Sequence, residues 1–91
     1  MRPDFDIDRE IAALSEQERQ YLVCTPLQEP QDAGVISYRA GERAGGHRFS
    51  GFARRHAWLF QRLPNSYGTV FTYRLSVDGA AIAQAIKALA K

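Results

Sequence analysis

The spacing of apolar residues predicts two short helices at the start of the chain. Ile7, Ile11 and Leu14 recur with the period of a helix and share one face. Ser15 and Glu18 then form an S-x-x-E capping box, the signature of a helix N-terminus. The pattern therefore predicts one helix that ends near Leu14 and a second that runs from about residue 16 to residue 23.

The next part of the chain carries weaker signals. Prolines and polar residues over residues 24–34 predict a loop, with room for one helical turn after Thr25. The short apolar run over residues 35–38 is β-branched at its start, which favours a strand over a helical turn. Three glycines within residues 41–46 disfavour a helix, so a mobile basic loop is expected over residues 39–47.

Residues 49–63 give the clearest local signal. Apolar residues recur there at i, i+3, i+4 and i+7, which predicts one amphipathic helix. Ser50 is its predicted N-cap and Pro64 its stop, because a residue before proline avoids helical angles. The apolar half of the wheel holds Phe49, Phe52, Ala53, His56, Leu59, Phe60 and Leu63, and the polar half holds Arg48, Arg54, Arg55, Trp58, Gln61 and Arg62.

The last third of the chain reads as turn, strand and helix. Turn-forming residues fill positions 64–68, and residues 69–77 then alternate between apolar and polar. The alternation predicts a strand with one buried face. Ser76 or Asp78 can cap a final helix, which carries its apolar residues on a single face. The buried strand face is Phe71, Tyr73, Leu75 and Val77, and the helical face is Ile82, Ala85, Ile86 and Leu89.

These elements predict an α+β fold, with helices packed on a short β-hairpin or sheet. A chain of 91 residues fits one small domain, with an acidic part at residues 1–32 and a basic part at residues 33–91. Cys24 is the single cysteine, so no internal disulfide can form and a reducing, cytoplasmic location is expected. No signal peptide is recognised at the N-terminus, and no apolar run has the length of a membrane span.

Charge divides the chain into two unlike parts. Residues 1–32 hold eight carboxylates and three arginines, whereas residues 33–91 hold nine cationic side chains and two acids. Between Arg39 and Arg74 every cationic residue is an arginine, and Glu42 is the only carboxylate. Arginine suits planar, bidentate recognition of phosphate better than lysine does. The second half is therefore expected to bind a polyanion.

Other candidate residues have structural explanations. Trp58 lies at the centre of the predicted arginine face, either as an exposed anchor or packed against the N-terminal helices. His56 is read as a core histidine, and His47 as an exposed group beside phosphate. Cys24 has no histidine or second cysteine nearby in sequence and is read as a small core residue. No catalytic residue, metal site or cofactor is expected.

The segment from Phe49 to Leu89 resembles the second half of a winged helix-turn-helix DNA-binding domain. The likeness lies in the basic helix, the compact turn, the aromatic strand, and the run Tyr-Arg-Leu-Ser-x-x-Gly at residues 73–79. That run is similar to the Tyr-x-Leu-Thr-x-x-Gly by which many such domains leave the wing and enter their last helix. The resemblance implies that the helix before the wing enters the major groove. It gives the recognition role to Arg54, Arg55, Trp58, Gln61 and Arg62, and puts the wing tip at Asn65, Ser66 and Tyr67.

The sequence thus predicts a winged-helix-like protein that binds duplex DNA as a small transcriptional regulator or accessory factor. Base contacts are expected from Gln61 and from one of the three arginines at positions 54, 55 and 62. The phosphate contacts are assigned to Arg39, Arg43, Arg48 and Arg74.

Other partners stay open. The main alternative is a protein-binding module, an inhibitor or adaptor whose arginines and Trp58 dock on an acidic protein surface. RNA ranks third, because no RNP-like strand motif is present. The alanine-rich final helix allows a homodimer, and no membrane partner is expected.

Overall fold

A computed structural model describes residues 6–42, 46–64 and 71–89 of the chain. Within these ranges the predicted α+β class is confirmed, with helices packed on a three-stranded antiparallel sheet of order β1-β3-β2. No helix within these ranges combines the length and the apolar character that crossing a membrane requires. The elements in chain order are α1 (Ile7–Ala12), α2 (Glu16–Cys24), β1 (Gln31–Asp32), α3 (Ala33–Arg39), α4 (His47–Arg55), a 3₁₀ turn (Ala57–Leu59), β2 (Phe60–Pro64), β3 (Phe71–Leu75) and α5 (Val77–Leu89).

The two N-terminal helices form where the sequence predicts them. Both bonds of the capping box are present: the Glu18 N–H donates to Ser15 Oγ at 3.2 Å, and the Ser15 N–H donates to Glu18 Oε1 at 2.8 Å. The loop predicted over residues 24–34 is wrong at its end, where β1 pairs with β3. Two residues are too short a strand to leave a period in the sequence.

The strand predicted over residues 35–38 is wrong, because these residues belong to α3. The Asp32 side chain caps this helix by accepting a hydrogen bond from the Val35 N–H at 2.8 Å. Ile36 is fully buried in the core, and α3 packs against both α2 and α4. Tertiary packing and one cap thus outweigh the β propensity of Val35 and Ile36.

The single helix predicted over residues 49–63 is also wrong. Helix α4 begins at His47 rather than after Ser50, and it ends at Arg55. The chain then makes the 3₁₀ turn and pairs as β2 with β3. Leu59 and Phe60 are buried in the structure, and a single helix would bury them as well. The apolar spacing alone therefore does not distinguish one helix from a turn followed by a strand.

The hairpin and last helix follow the prediction in outline. Tyr73 and Leu75 are buried, but Phe71 is 48% exposed and Val77 is 76% exposed. The strand ends at Leu75, so the predicted buried face extends too far at both ends. The Ser76 side chain caps α5 by accepting from the Gly79 N–H at 3.0 Å. The predicted turn beyond Pro64 and residues 43–45 of the predicted basic loop lie outside the described residues.

Two glycines permit close approaches between elements. Gly46, at φ +92°, precedes α4, and a Cβ there would lie 2.7 Å from the backbone of Ala33 and Gly34 in α3. Gly79, in the first turn of α5, lies so close to the 3₁₀ turn that a Cβ would be 2.0 Å from the Leu59 carbonyl oxygen. The Ser76 N–H donates to that same oxygen at 3.0 Å, which joins α5 to the turn that precedes the hairpin.

Replacement of Gly79 by alanine is expected to destabilise the fold, since its methyl group has no room beside Leu59. Overpacking of this kind costs roughly 2–3 kcal/mol, whereas Gly51→Ala in the middle of α4 should stabilise by about 0.5–1 kcal/mol. Gly51 is the matched control because a Cβ there meets only Arg55 Nη1, at 3.4 Å. Urea unfolding of the two variants measures the difference, and equal stability of Gly79→Ala and the parent protein would contradict the packing described.

Candidate nucleic-acid interface

Aromatic packing fixes which side of α4 faces the solvent. Phe49 and Phe52 are fully buried. The Phe49 ring lies 5.4 Å from that of Tyr21 in α2 and 5.1 Å from that of Tyr73 in β3, in edge-to-face geometry. Helix α4 is therefore held from two sides, and its other faces carry Arg48, Arg54 and Arg55, all exposed.

One exposed side of α4 faces the hairpin across a groove. His47, Ser50 and Arg54 lie along this side at i, i+3 and i+7, and we call them the open row. Arg62 of β2 and Phe71 of β3 line the same groove, which has a volume of about 550 Å³. No carboxylate of the described residues forms an ion pair with either groove arginine. The groove thus has one guanidinium group on its helical wall and one on its strand wall, and no described carboxylate is paired with either.

Phe71 supports one of these arginines. The guanidinium carbon of Arg62 lies 4.2 Å from the centroid of the Phe71 ring, a cation–π contact. Arg62 pairs with Tyr73 and Phe71 with Pro64 in the hairpin register, so both side chains lie on the hairpin face that also carries buried Phe60. The ring therefore holds the guanidinium at the groove.

The two remaining arginines of α4 have acidic neighbours. Arg48 and Arg55, which we call the paired row, are separated by seven residues and share a second side of the helix. Arg48 Nη1 lies 3.5 Å from Glu42 Oε2, and Arg55 Nη2 lies 3.9 Å from Glu18 Oε2. The same residue type thus occurs on α4 in two electrostatic settings.

Glu42 is the more enclosed of these carboxylates, with a side chain only 11% exposed. The Tyr21 hydroxyl donates a hydrogen bond to its Oε1 atom. Burial, and then the neighbouring Glu42 carboxylate, raise the pKa of the Tyr21 phenol. The phenol is accordingly retained as a donor, and the carboxylate is held in place between α2 and α4.

The hairpin carries its other predicted site residues on the opposite face. Gln61 and Arg74 are cross-strand partners, and Arg74 Nε donates to Gln61 Oε1. Arg74 Nη1 also donates to the Gln28 carbonyl oxygen at 3.3 Å. Gln61 and Arg74 therefore do not lie in the groove with Arg62, as the single predicted helix implied for Gln61.

Trp58 and Arg39 also lie away from the groove. Trp58 is in the 3₁₀ turn, half-buried against the core, and its carbonyl oxygen accepts from Ser76 Oγ at 2.7 Å. The predicted place of Trp58 among arginines on one helical face is therefore wrong, because α4 ends before this residue. Arg39 ends α3 near the Cys24 thiol, whose pKa is raised by burial and lowered in part by this guanidinium. Arg43 and the predicted wing tip, Asn65, Ser66 and Tyr67, fall outside the described residues.

Several groove residues were not identified as an interface from the sequence. The sequence predicts Ser50 as a helix cap and Phe71 as a buried residue of the strand, whereas both line the groove. Glu18 is distant in sequence from its partner Arg55, and Glu42, the partner of Arg48, comes from a loop. No local sequence pattern therefore indicates either carboxylate. In the described parts of the chain, no three His, Cys, Asp or Glu side chains are grouped to hold a metal ion.

Replacing Tyr21 by phenylalanine should lower the free energy of unfolding, because the buried Glu42 carboxylate loses its hydroxyl donor. A hydrogen bond to a charged group contributes roughly 1.5–3 kcal/mol. Tyr38→Phe is the control, since that ring is 75% exposed. Chemical denaturation of both variants checks the prediction, and equal stability of the two would refute the role given to Tyr21.

Known proteins give no further guide to this interface. The chain matches no protein-family model, no curated protein and no solved structure. Its function is therefore inferred from the described side chains, above all from the arginines of α4 and β2.

Proposed function

We propose that this protein binds duplex DNA, with α4 in the major groove and the β2–β3 hairpin beside it as a wing. The observation that carries the proposal is the groove with Arg54 on its helical wall and Arg62 on its strand wall. Neither arginine is neutralised by a described carboxylate. Two such groups on facing walls suit the negative phosphates that border a DNA groove.

The order of the elements supports the winged helix-turn-helix resemblance. That family requires a helix packed immediately before the recognition helix, and α3 occupies this position before α4. Gly46, with its positive φ and no side chain, lets the start of α4 lie close to Ala33 of α3. After α4 come a two-stranded hairpin and a further helix, as the resemblance implies.

The roles within the interface follow from the geometry. Arg54 is exposed on the groove side of α4, the helix proposed to enter the major groove. It is therefore the arginine assigned to base edges or to the phosphates beside them. Arg62 is assigned to the backbone of the strand that passes the hairpin. Ser50 adds a hydroxyl to the helical wall of the groove, and His47 lies at the start of the helix.

Substitution of either groove arginine by alanine should weaken binding to random-sequence duplex roughly tenfold, the effect of losing one charge-assisted hydrogen bond of about 1.5 kcal/mol. The control is Arg9→Ala, which removes the same charge from α1, a helix that packs on α5. Fluorescence anisotropy with a labelled duplex measures the dissociation constants of Arg54→Ala, Arg62→Ala and Arg9→Ala. Similar losses in all three would show that net charge, not the groove, governs binding.

Binding should also depend steeply on salt. With at most about four phosphates neutralised, by the arginines of α4 and β2, log K against log salt should have a slope no steeper than about −3.6, and each groove variant should be shallower by about 0.9. A flat response would contradict DNA binding. Absence of binding at low salt would favour the acidic protein surface as partner.

Phe71 provides a test of the Arg62 position. Phe71→Leu removes the ring beneath the guanidinium, and a lost exposed cation–π contact of about 0.5–1 kcal/mol weakens binding roughly two- to fivefold. Phe71→Tyr keeps the ring and should bind as the parent protein does. The same anisotropy assay, with circular dichroism as a check of folding, compares the two; equal binding by the leucine and tyrosine variants would remove the role of the ring.

A further inference from the structure

The paired row of α4 differs from the open row in one respect: each of its arginines lies beside a carboxylate that is itself held in place. Glu42 is fixed by the Tyr21 hydroxyl, and Glu18 by the Ser15 N–H of the capping box. The carboxylates are largely buried, with side chains 11% and 23% exposed. Each acid is therefore a fixed point, positioned by a contact that does not involve the arginine.

The arginines of these pairs are the exposed partners. Their side chains are 79% exposed for Arg48 and 66% exposed for Arg55. The separations of 3.5 and 3.9 Å are long for a charge-assisted hydrogen bond. Solvent around the exposed guanidinium groups screens the attraction, so these pairs are weak although their carboxylates are largely buried. A phosphate can consequently take the guanidinium, while the carboxylate keeps its other hydrogen bond.

We propose that Glu18 and Glu42 determine how strongly α4 binds phosphate, by competing with the nucleic acid for Arg55 and Arg48. This inference rests on the proposed DNA-binding function and adds a division of labour to it. The open row meets DNA without prior exchange, whereas each arginine of the paired row must first leave a carboxylate. The competition limits the sequence-independent part of the affinity, which comes from phosphate contacts.

The chain offers isosteric variants that remove the charge and the acceptor oxygen facing the arginine but keep the other oxygen. In Glu42→Gln the amide oxygen still accepts from the Tyr21 hydroxyl, and in Glu18→Gln it still accepts from the Ser15 N–H. Asp8→Asn is the control, because it removes one negative charge from the exposed surface of α1. Thermal unfolding of each variant establishes that the fold is retained.

The test is anisotropy of a labelled random-sequence duplex over a range of salt concentrations. Each glutamine variant should bind roughly two- to fivefold more tightly than Asp8→Asn, with a salt slope steeper by about 0.9 for each arginine released. Affinity equal to that of Asp8→Asn would overturn the proposal. Weaker binding would overturn it too, since the carboxylates would then position the arginines for DNA.

A second set of variants shows whether the effect passes through the arginines. Glu42→Gln in the background of Arg48→Ala, and Glu18→Gln in that of Arg55→Ala, should give no gain beyond the Asp8→Asn control. A gain that persists there would mean general repulsion of phosphate and would overturn the competition. If the parent protein and every variant fail to bind duplex at low salt, the proposed function fails and this inference fails with it; if the parent binds through Arg54 but the glutamine variants show no gain, only the competition is lost.

Discussion

The burial of two phenylalanines of α4 is the constraint on which the rest of the structure depends. Phe49 and Phe52 are fully buried, and both rings pack against those of Tyr21 and Phe60. These contacts join α4 to α2 and to the hairpin at the same time. Because the apolar side of this short helix is fixed in this way, its arginines face solvent, the groove or the acidic partners.

The arginines of the chain have a shared chemistry but different surroundings. Arg54 and Arg62 line the groove without an ion pair to a described carboxylate, whereas each arginine of the paired row lies beside one. Arg74 is hydrogen-bonded to Gln61 on the other face of the hairpin. Formal charge along the sequence therefore overstates the charge that one surface presents. The acidic N-terminal part contributes to this difference, since Glu18 of α2 forms an ion pair with Arg55 of α4.

Local signals predicted some elements well. The capping box defined the start of α2, because both of its hydrogen bonds lie within four residues. For α5 the sequence predicted either Ser76 or Asp78 as the cap, and the structure has Ser76. The choice between helix and strand failed for residues 35–38 and 60–63, where burial against distant elements decides and the apolar spacing suits both. The exposure of Arg48, Arg54 and Arg55 was predictable from the helical period. The groove was not, because the faces on which Arg62 and Arg74 lie depend on hairpin register.

The attachment of the hairpin base has a mechanical consequence. The Leu75 N–H donates to the Pro26 carbonyl oxygen at 2.9 Å, Arg74 donates to the Gln28 carbonyl oxygen, and Phe60 and Tyr73 pack on Phe49. The hairpin is thus anchored on both faces, and its separation from α4 is set by the core rather than by a ligand. The width of this gap is therefore set before any ligand binds. In the proposed complex α4 enters the major groove and one DNA strand passes through this gap, so a sequence that narrows or widens the DNA groove changes the fit before any base is contacted.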